Sequence, residues 1–173
     1  MDATPAQLIA WVSEARQRTL QLVADLDDDQ LIGPRLEIVN PLLWEIGHVA
    51  WFQEKWVLRR GGEPPTRADA DDLYDSSAVA HDRRWELPLP DREGTLRYMA
   101  GVLERVDERC CEQDPEDAYF VLLALFHEDM HDEASGALEL PIVNNGKGSE
   151  SELAAQWFVL DQDKAWRVFQ QDG

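Results

Sequence analysis

Three times in this chain a polar residue suited to cap a helix stands directly before a proline: Thr4-Pro5, Asn40-Pro41 and Asp114-Pro115. Proline fits the first helical position, where its missing N–H would have had no partner, and the polar side chain before it can satisfy one of the open N–H groups of the first turn. Apolar residues then recur at helical spacing. After Thr4 they are Leu8, Trp11, Val12, Ala15 and, past a short polar interval, Leu20 and Val23, up to an acidic run at Asp27-Asp28-Asp29 that is expected to end the helix. After Asn40 they are Leu43, Ile46, Gly47, Ala50, Trp51 and Leu58, with a stop at Gly61-Gly62 and Pro64-Pro65. A third pattern, from about Arg92 to Cys111, carries Leu96, Met99, Val102, Leu103 and Val106, and a fourth, after Asp114, carries Phe120, Val121, Leu122, Leu125 and Phe126. Four long helices joined in antiparallel fashion predict an all-α four-helix bundle.

Two stretches do not fit that pattern. The connection from Gly61 to Pro90 is too long for a helix-to-helix turn, and it holds Tyr74, His81, Arg83, Arg84 and Trp85, so an ordered loop over the bundle end is expected. Beyond about Leu140 come Pro141, Asn144-Asn145-Gly146 and a Gly-Ser stretch, then the apolar run Trp157-Phe158-Val159-Leu160. This divides the chain into a helical domain over residues 1–140 and an irregular tail over 141–173.

The charge narrows the partners. With 35 acidic and 16 basic residues the formal charge is -19, which repels a phosphate backbone or an anionic bilayer. The pairs Arg59-Arg60 and Arg83-Arg84 are too short for a nucleic-acid footprint but large enough to hold one substrate carboxylate. No basic-then-apolar leader and no apolar run of membrane-spanning length is present, so a soluble, cytoplasmic protein is expected, with no nucleic-acid or membrane partner. The two cysteines, Cys110 and Cys111, are neighbours and read as thiols rather than a strained bridge. Trp11, Trp44, Trp51 and Trp56 read as core residues, and Trp85 as a candidate ligand contact.

Histidine placement carries the chemistry. In Phe126-His127-Glu128-Asp129-Met130-His131 the two imidazoles are four residues apart, one turn apart on one helix face, and can reach one ion at about 2.0 to 2.1 Å. A third ligand has to come from His48, on the stripe of Trp44 and Phe52, or from His81 in the long connection. Convergence of three of the four histidines favours His48, His127 and His131 as a metal site over structural imidazoles. Their outer ring nitrogens need acceptors, for which Glu45, Glu128, Asp132 and Glu133 are the nearby candidates. The same segment matches the short His-Glu-x-x-His pattern of zinc proteases, with Glu128 as general base, but no further downstream histidine extends the match. Three neutral imidazoles leave coordination positions open for water, substrate or dioxygen, and iron, zinc, nickel and cobalt all accept such a set.

The segment Asn40-Pro41-Leu42-Leu43-Trp44-Glu45-Ile46-Gly47-His48-Val49-Ala50-Trp51-Phe52-Gln53-Glu54-Lys55-Trp56 and the segment His127 to Glu133 resemble the amino-terminal DinB-like domain of the ergothioneine-type sulfoxide synthases and the related selenoneine synthases. Leu73-Tyr74-Asp75-Ser76-Ser77, His81-Asp82-Arg83-Arg84-Trp85 and Leu87-Pro88-Leu89-Pro90 fall in the family's order, and the likeness covers about residues 5 to 137. The resemblance implies a non-haem Fe(II) on His48, His127 and His131, at which dioxygen and a thiol or selenol meet hercynine, forming a bond from sulfur or selenium to the imidazole ring. It also implies that arginines of the long connection hold substrate carboxylates, and Arg83 and Arg84, with Trp85 beside them, are the matching region. Family members continue into a second domain of the formylglycine-generating-enzyme type that supplies much of the active site. Residues 157–166 resemble its opening, so these 173 residues alone are expected to lack the rest. The alternative is a stand-alone DinB-like thiol transferase using zinc or nickel as a Lewis acid. Pairing of two chains as a homodimer is left open.

Overall fold

The computed structural model describes residues 3–37, 39–111 and 115–143, and among them every regular element is helical. The elements are α1 (Pro5–Leu22), α2 (Asp28–Ile32), α3 (Leu42–Gln53), α4 (Ala70–Tyr74), α5 (Arg92–Cys111) and α6 (Pro115–Val143). Helix α3 continues into one widened π-helical turn, Glu54–Leu58, closed by the Arg59 N–H reaching the Glu54 carbonyl five residues back at 3.1 Å. The tail expected from residue 141 falls, past Val143, outside the described residues, and α6 itself runs three residues beyond the expected boundary at Leu140.

Local chemistry accounts for most of these boundaries. Thr4 caps α1 through a reciprocal box: its hydroxyl accepts from the Gln7 N–H at 3.3 Å, while the Gln7 side chain accepts from the Thr4 N–H at 2.9 Å. The acidic run does end α1, but it also starts α2, because Asp27 and Gln30 form a second box of the same kind. At Asn40-Pro41 the expected cap does not form. Pro41 itself occupies the cap position, and Asn40 spends its side chain on Glu45 and Arg84 instead. Asp114 lies outside the described residues.

The four long helices form the predicted bundle. Helix α1 packs on α5 and α6, and α3 also packs on α5 and α6, so the order around the bundle is α1, α6, α3, α5. Helix α3 is the most enclosed: every residue from Leu43 to Gln53 is buried. That explains why it lacks a polar face, since a helix covered on all sides needs none. Its core partners are Leu8 and Val12 of α1, Met99, Val102 and Val106 of α5, and Val121 and Ala124 of α6. Trp44 and Trp51 are buried there, while Trp11 and Trp56 pack partly exposed against the core. No described helix is long and apolar enough to cross a membrane.

The 61–90 connection is ordered. Helix α4 and a 3-10 turn at His81–Arg83 give it structure, and Ala70, Leu73 and Tyr74 are buried against α3. Close approach is possible because residue 47 is glycine: a Cβ there would overlap the Tyr74 ring and come 2.7 Å from its hydroxyl oxygen. Arg59 clamps the far side with a bidentate pair to Asp71, Nη1 to Oδ1 at 2.6 Å and Nη2 to Oδ2 at 2.7 Å, and the Trp51 indole N–H donates to the same Oδ1 at 2.7 Å.

Candidate metal centre

Helix α3 delivers His48 and helix α6 delivers His127 and His131 to one point inside the bundle, where one ring nitrogen of each lies within 4.8 Å of the others. His48 and His131 are buried, and His127 is half-buried. His81, the other candidate third ligand, is elsewhere: its Nε2 lies 2.7 Å from the Val39 carbonyl.

One of the three rings has its tautomer set by a hydrogen-bond acceptor, and a second faces a carboxylate. The Nδ1 of His48 is 2.8 Å from the Tyr74 carbonyl, which can only accept, so Nδ1 carries the proton and Nε2 is left with a lone pair. The Nδ1 of His131 is 2.7 Å from Glu45 Oε2. Burial by itself would raise the Glu45 carboxyl, but the His131 ring, with help from His48 and the Asn40 amide, holds it down to about 2. The carboxylate faces Nδ1, and the Nε2 of His131 lies on the side of His127. His127 is positioned by stacking, its ring 3.6 Å from and within 4° of parallel to Phe52. Trp44 stacks on His48 at 4.6 Å.

Two of these imidazoles are held as neutral donors. Burial, reinforced by the neighbouring His131, pushes His48 down to about 3, and burial with His131 and His48 pushes His127 well below its ordinary value. The Nε2 atoms of His127 and His131 are 3.3 Å apart. An ion at about 2.0 to 2.1 Å from two nitrogens separates them by roughly 3 to 3.4 Å at coordination angles of about 90 to 110°, so this edge fits one shared cation. The buried Nδ1 of His127 has no hydrogen-bond partner among the described residues, where the Phe52 stack is what positions that ring. The set fits a metal with three imidazole ligands on one side.

Glu128, the residue that the protease pattern would make a general base, is committed elsewhere. It is 1 % exposed and faces α1, where Arg16, 2 % exposed, donates from Nε to Oε1 at 2.7 Å and from Nη2 to Oε2 at 3.2 Å. The Thr19 hydroxyl adds a third hydrogen bond at 2.8 Å. Asp132 Oδ1 lies 2.8 Å from the same hydroxyl, and Glu133 is exposed. Of the four acids considered as outer acceptors, Glu45 is the one against a histidine ring.

The arginine segment divides. Arg84 is buried, its Nη1 donating to Asn40 Oδ1 at 2.7 Å and its guanidinium lying 4.0 Å over the Trp44 ring. Arg83 is exposed and pairs with Glu86 at 3.1 Å. Trp85 is half-buried, edge-on to His81 at 5.3 Å between ring centres. The Tyr74 carbonyl and the Phe52 stack escaped the sequence reading. A backbone acceptor leaves no mark on residue identity, whereas Phe52, four residues after His48, was on the same stripe and could have been found.

The pattern of the DinB superfamily matches residues 12–134, which include all three histidines. The chain belongs to the DinB superfamily. It is also similar to proteins named hercynine oxygenase: 33% identical over 134 residues to that of Mycobacterium tuberculosis, covering 75% of this chain and 31% of the relative. The corresponding protein of Mycolicibacterium thermoresistibile is 33% identical over 134 residues, 74% of this chain and 29% of the relative, and that of Mycolicibacterium smegmatis 32% over 123 residues, 69% and 28%. The chain thus matches less than a third of the length of these relatives.

Proposed function

We propose that this chain carries the metal-binding helical domain of a hercynine oxygenase-like synthase, with His48, His127 and His131 holding Fe(II) and with hercynine, a thiol or selenol, and dioxygen as the reactants. The observation that carries the reading is the convergence of three imidazoles within 4.8 Å, with the outer nitrogen of His48 on the Tyr74 carbonyl and that of His131 facing Glu45. Similarity to proteins named hercynine oxygenase over 134 residues supports that reaction class.

Bound Fe(II) would supply a redox-active centre for dioxygen and a Lewis acid for a thiolate or selenolate. The protein's part is to present three neutral nitrogens, which leave the ion's charge available to an anionic ligand, and to keep water off the ring faces with Trp44 and Phe52. Arg83, exposed at the end of the 3-10 turn, can exchange Glu86 for a substrate carboxylate, and Trp85 offers an indole beside it. Arg84, the other arginine of that segment, would reach substrate only by leaving Asn40 and Trp44.

The test is oxygen uptake by Fe(II)-loaded protein given hercynine, a thiol, or both. Uptake that needs both supports the reading. Thiol binding to a zinc- or nickel-loaded protein with no oxygen requirement would replace it with a metal-dependent thiol transferase.

A further inference from the structure

A chain of two hydrogen bonds and one ion-pair contact runs from Arg84 to His131 and has no part in holding the metal directly. Arg84 Nη1 donates to Asn40 Oδ1 at 2.7 Å, the Asn40 amide Nδ2 donates to Glu45 Oε1, and Glu45 Oε2 lies 2.7 Å from His131 Nδ1 as an ion-pair contact. We propose that Glu45 is the positioning residue that selects the ligating nitrogen of His131, and that Asn40 and Arg84 hold Glu45 to that task. This rests on the reading of His48, His127 and His131 as metal ligands.

The polarity of the chain is fixed at both ends. A guanidinium can only donate, and an ionised carboxylate can only accept. Asn40, between them, has one acceptor and one donor group, and a single amide orientation satisfies both neighbours. With that orientation set, Asn40 occupies Glu45 Oε1, and Oε2 remains for the His131 ring. A carboxylate oxygen 2.7 Å from Nδ1 keeps that nitrogen from an ion and leaves Nε2, 3.3 Å from His127 Nε2, as the ligating atom. Without Arg84 the amide could reverse, placing its oxygen against the Glu45 carboxylate and loosening the hold.

Arg84 is in turn held by the long connection. Its guanidinium lies over Trp44, which stacks on His48, and its Nη2 reaches the carbonyls of Ser76 and Val79 at 3.5 and 3.4 Å. The same connection supplies the Tyr74 carbonyl to His48. Residues 74–84 therefore reach two of the three histidines by separate routes, one through a backbone oxygen and one through three side chains. Groups that hold a metal-binding histidine from behind typically contribute about 10- to 100-fold in metal affinity.

Co(II) affinity of the metal-stripped protein, measured by absorption, and the tautomer of His131, measured by ¹⁵N NMR without metal, test the assignment. Glu45→Ala is expected to weaken Co(II) binding by about 10- to 100-fold and to lower the Nδ1-protonated fraction of His131 while leaving His48 unchanged. Glu45→Gln, which retains an acceptor oxygen and nearly the same volume, is expected to recover part of both. Asn40→Ala is expected to weaken binding in the wild-type background and to add nothing to Glu45→Ala. If Glu45→Ala does not fold, the Gln and Asn40 variants carry the test. Wild-type binding with unchanged affinity and unchanged His131 tautomer in the variants overturns this inference alone. A wild-type protein that binds no Co(II) overturns the metal reading and the inference with it.

Discussion

Arg16 and Glu128, 112 residues apart in sequence, form a two-point ion pair in the bundle interior, with Nε to Oε1 at 2.7 Å and Nη2 to Oε2 at 3.2 Å. Arg16 also donates to the Met99 carbonyl at 2.9 Å and to Gln53 Oε1 at 3.1 Å, so one side chain of α1 ties α3, α5 and α6 together. Glu128 sits between the two α6 histidines in sequence, but its carboxylate is turned to Arg16 and Thr19 of α1. Removing one member of such a pair leaves the other charge buried without compensation. Arg16→Met should therefore lower unfolding stability by about 3 to 5 kcal/mol in a urea titration, and adding Glu128→Leu should restore much of it. A double variant no more stable than the single one would show that the pair's loss is not what costs the stability.

Glu128→Gln bears on the reaction class. It is expected to reduce stability but to leave metal stoichiometry unchanged, because Glu128 reaches Arg16 and Thr19 rather than the imidazole cluster. Metal analysis of the folded variant checks this; loss of the ion from a folded Glu128→Gln protein would return that carboxylate to the site.

Gly47→Ala tests how the connection is seated. The added methyl overlaps the Tyr74 ring, which is fully buried and has little room to yield, and the Tyr74 carbonyl is what holds His48. Overpacking of this kind costs about 1 to 3 kcal/mol. Denaturation should show that loss, and Co(II) affinity should fall with it; a variant with wild-type stability and affinity would mean that α4 can shift without disturbing His48.

The Asp71 carboxylate ties the same connection to α3 and gives a pH signature. Its hydrogen bonds from Arg59, opposed by partial burial and aided by the Trp51 indole, hold it below the ordinary carboxylate range. A depressed value means that the unfolded chain takes up the proton first. The stabilisation is therefore complete above the unfolded value of about 3.9 and is lost as pH falls through the folded one. Asp71→Asn should be less stable than wild type at neutral pH, with the gap closing below about pH 4. A gap that stayed constant from pH 7 to 2 would show that the charge is not responsible.

Metal removal should be visible in the melting curve. A ligand bound only by the folded state at 100 times its Kd adds about 2.7 kcal/mol, which for a chain of this size is roughly 5 to 10 °C in Tm. Chelation of metal-loaded protein is expected to lower Tm by that order, and the Tm of His131→Ala should not respond to chelator at all.

Much of this architecture was legible in residue identity, and the rest had physical reasons for being hidden. Thr4-Pro5 and the apolar spacing gave α1, and the four-residue interval of His127 and His131 gave two ligands, because both rest on period and local chemistry. The acidic run at Asp27 was read as an end only, although an acid three residues before a glutamine is also a start signal. Asn40 looked like a cap because its helix-local use and its use in a tertiary network require the same residue type. The role of Tyr74 lies in its backbone oxygen, and the pairing of Arg16 with Glu128 spans nearly the whole bundle; neither leaves a local pattern to read.

The central claim is tested most directly by metal analysis of protein purified without oxygen and reconstituted with Fe(II), beside the His48→Ala, His127→Ala and His131→Ala variants. Near-stoichiometric iron in the wild type, lost in each folded variant, is the predicted result. Folded wild-type protein that retains no iron, or variants that retain it fully, would contradict the account.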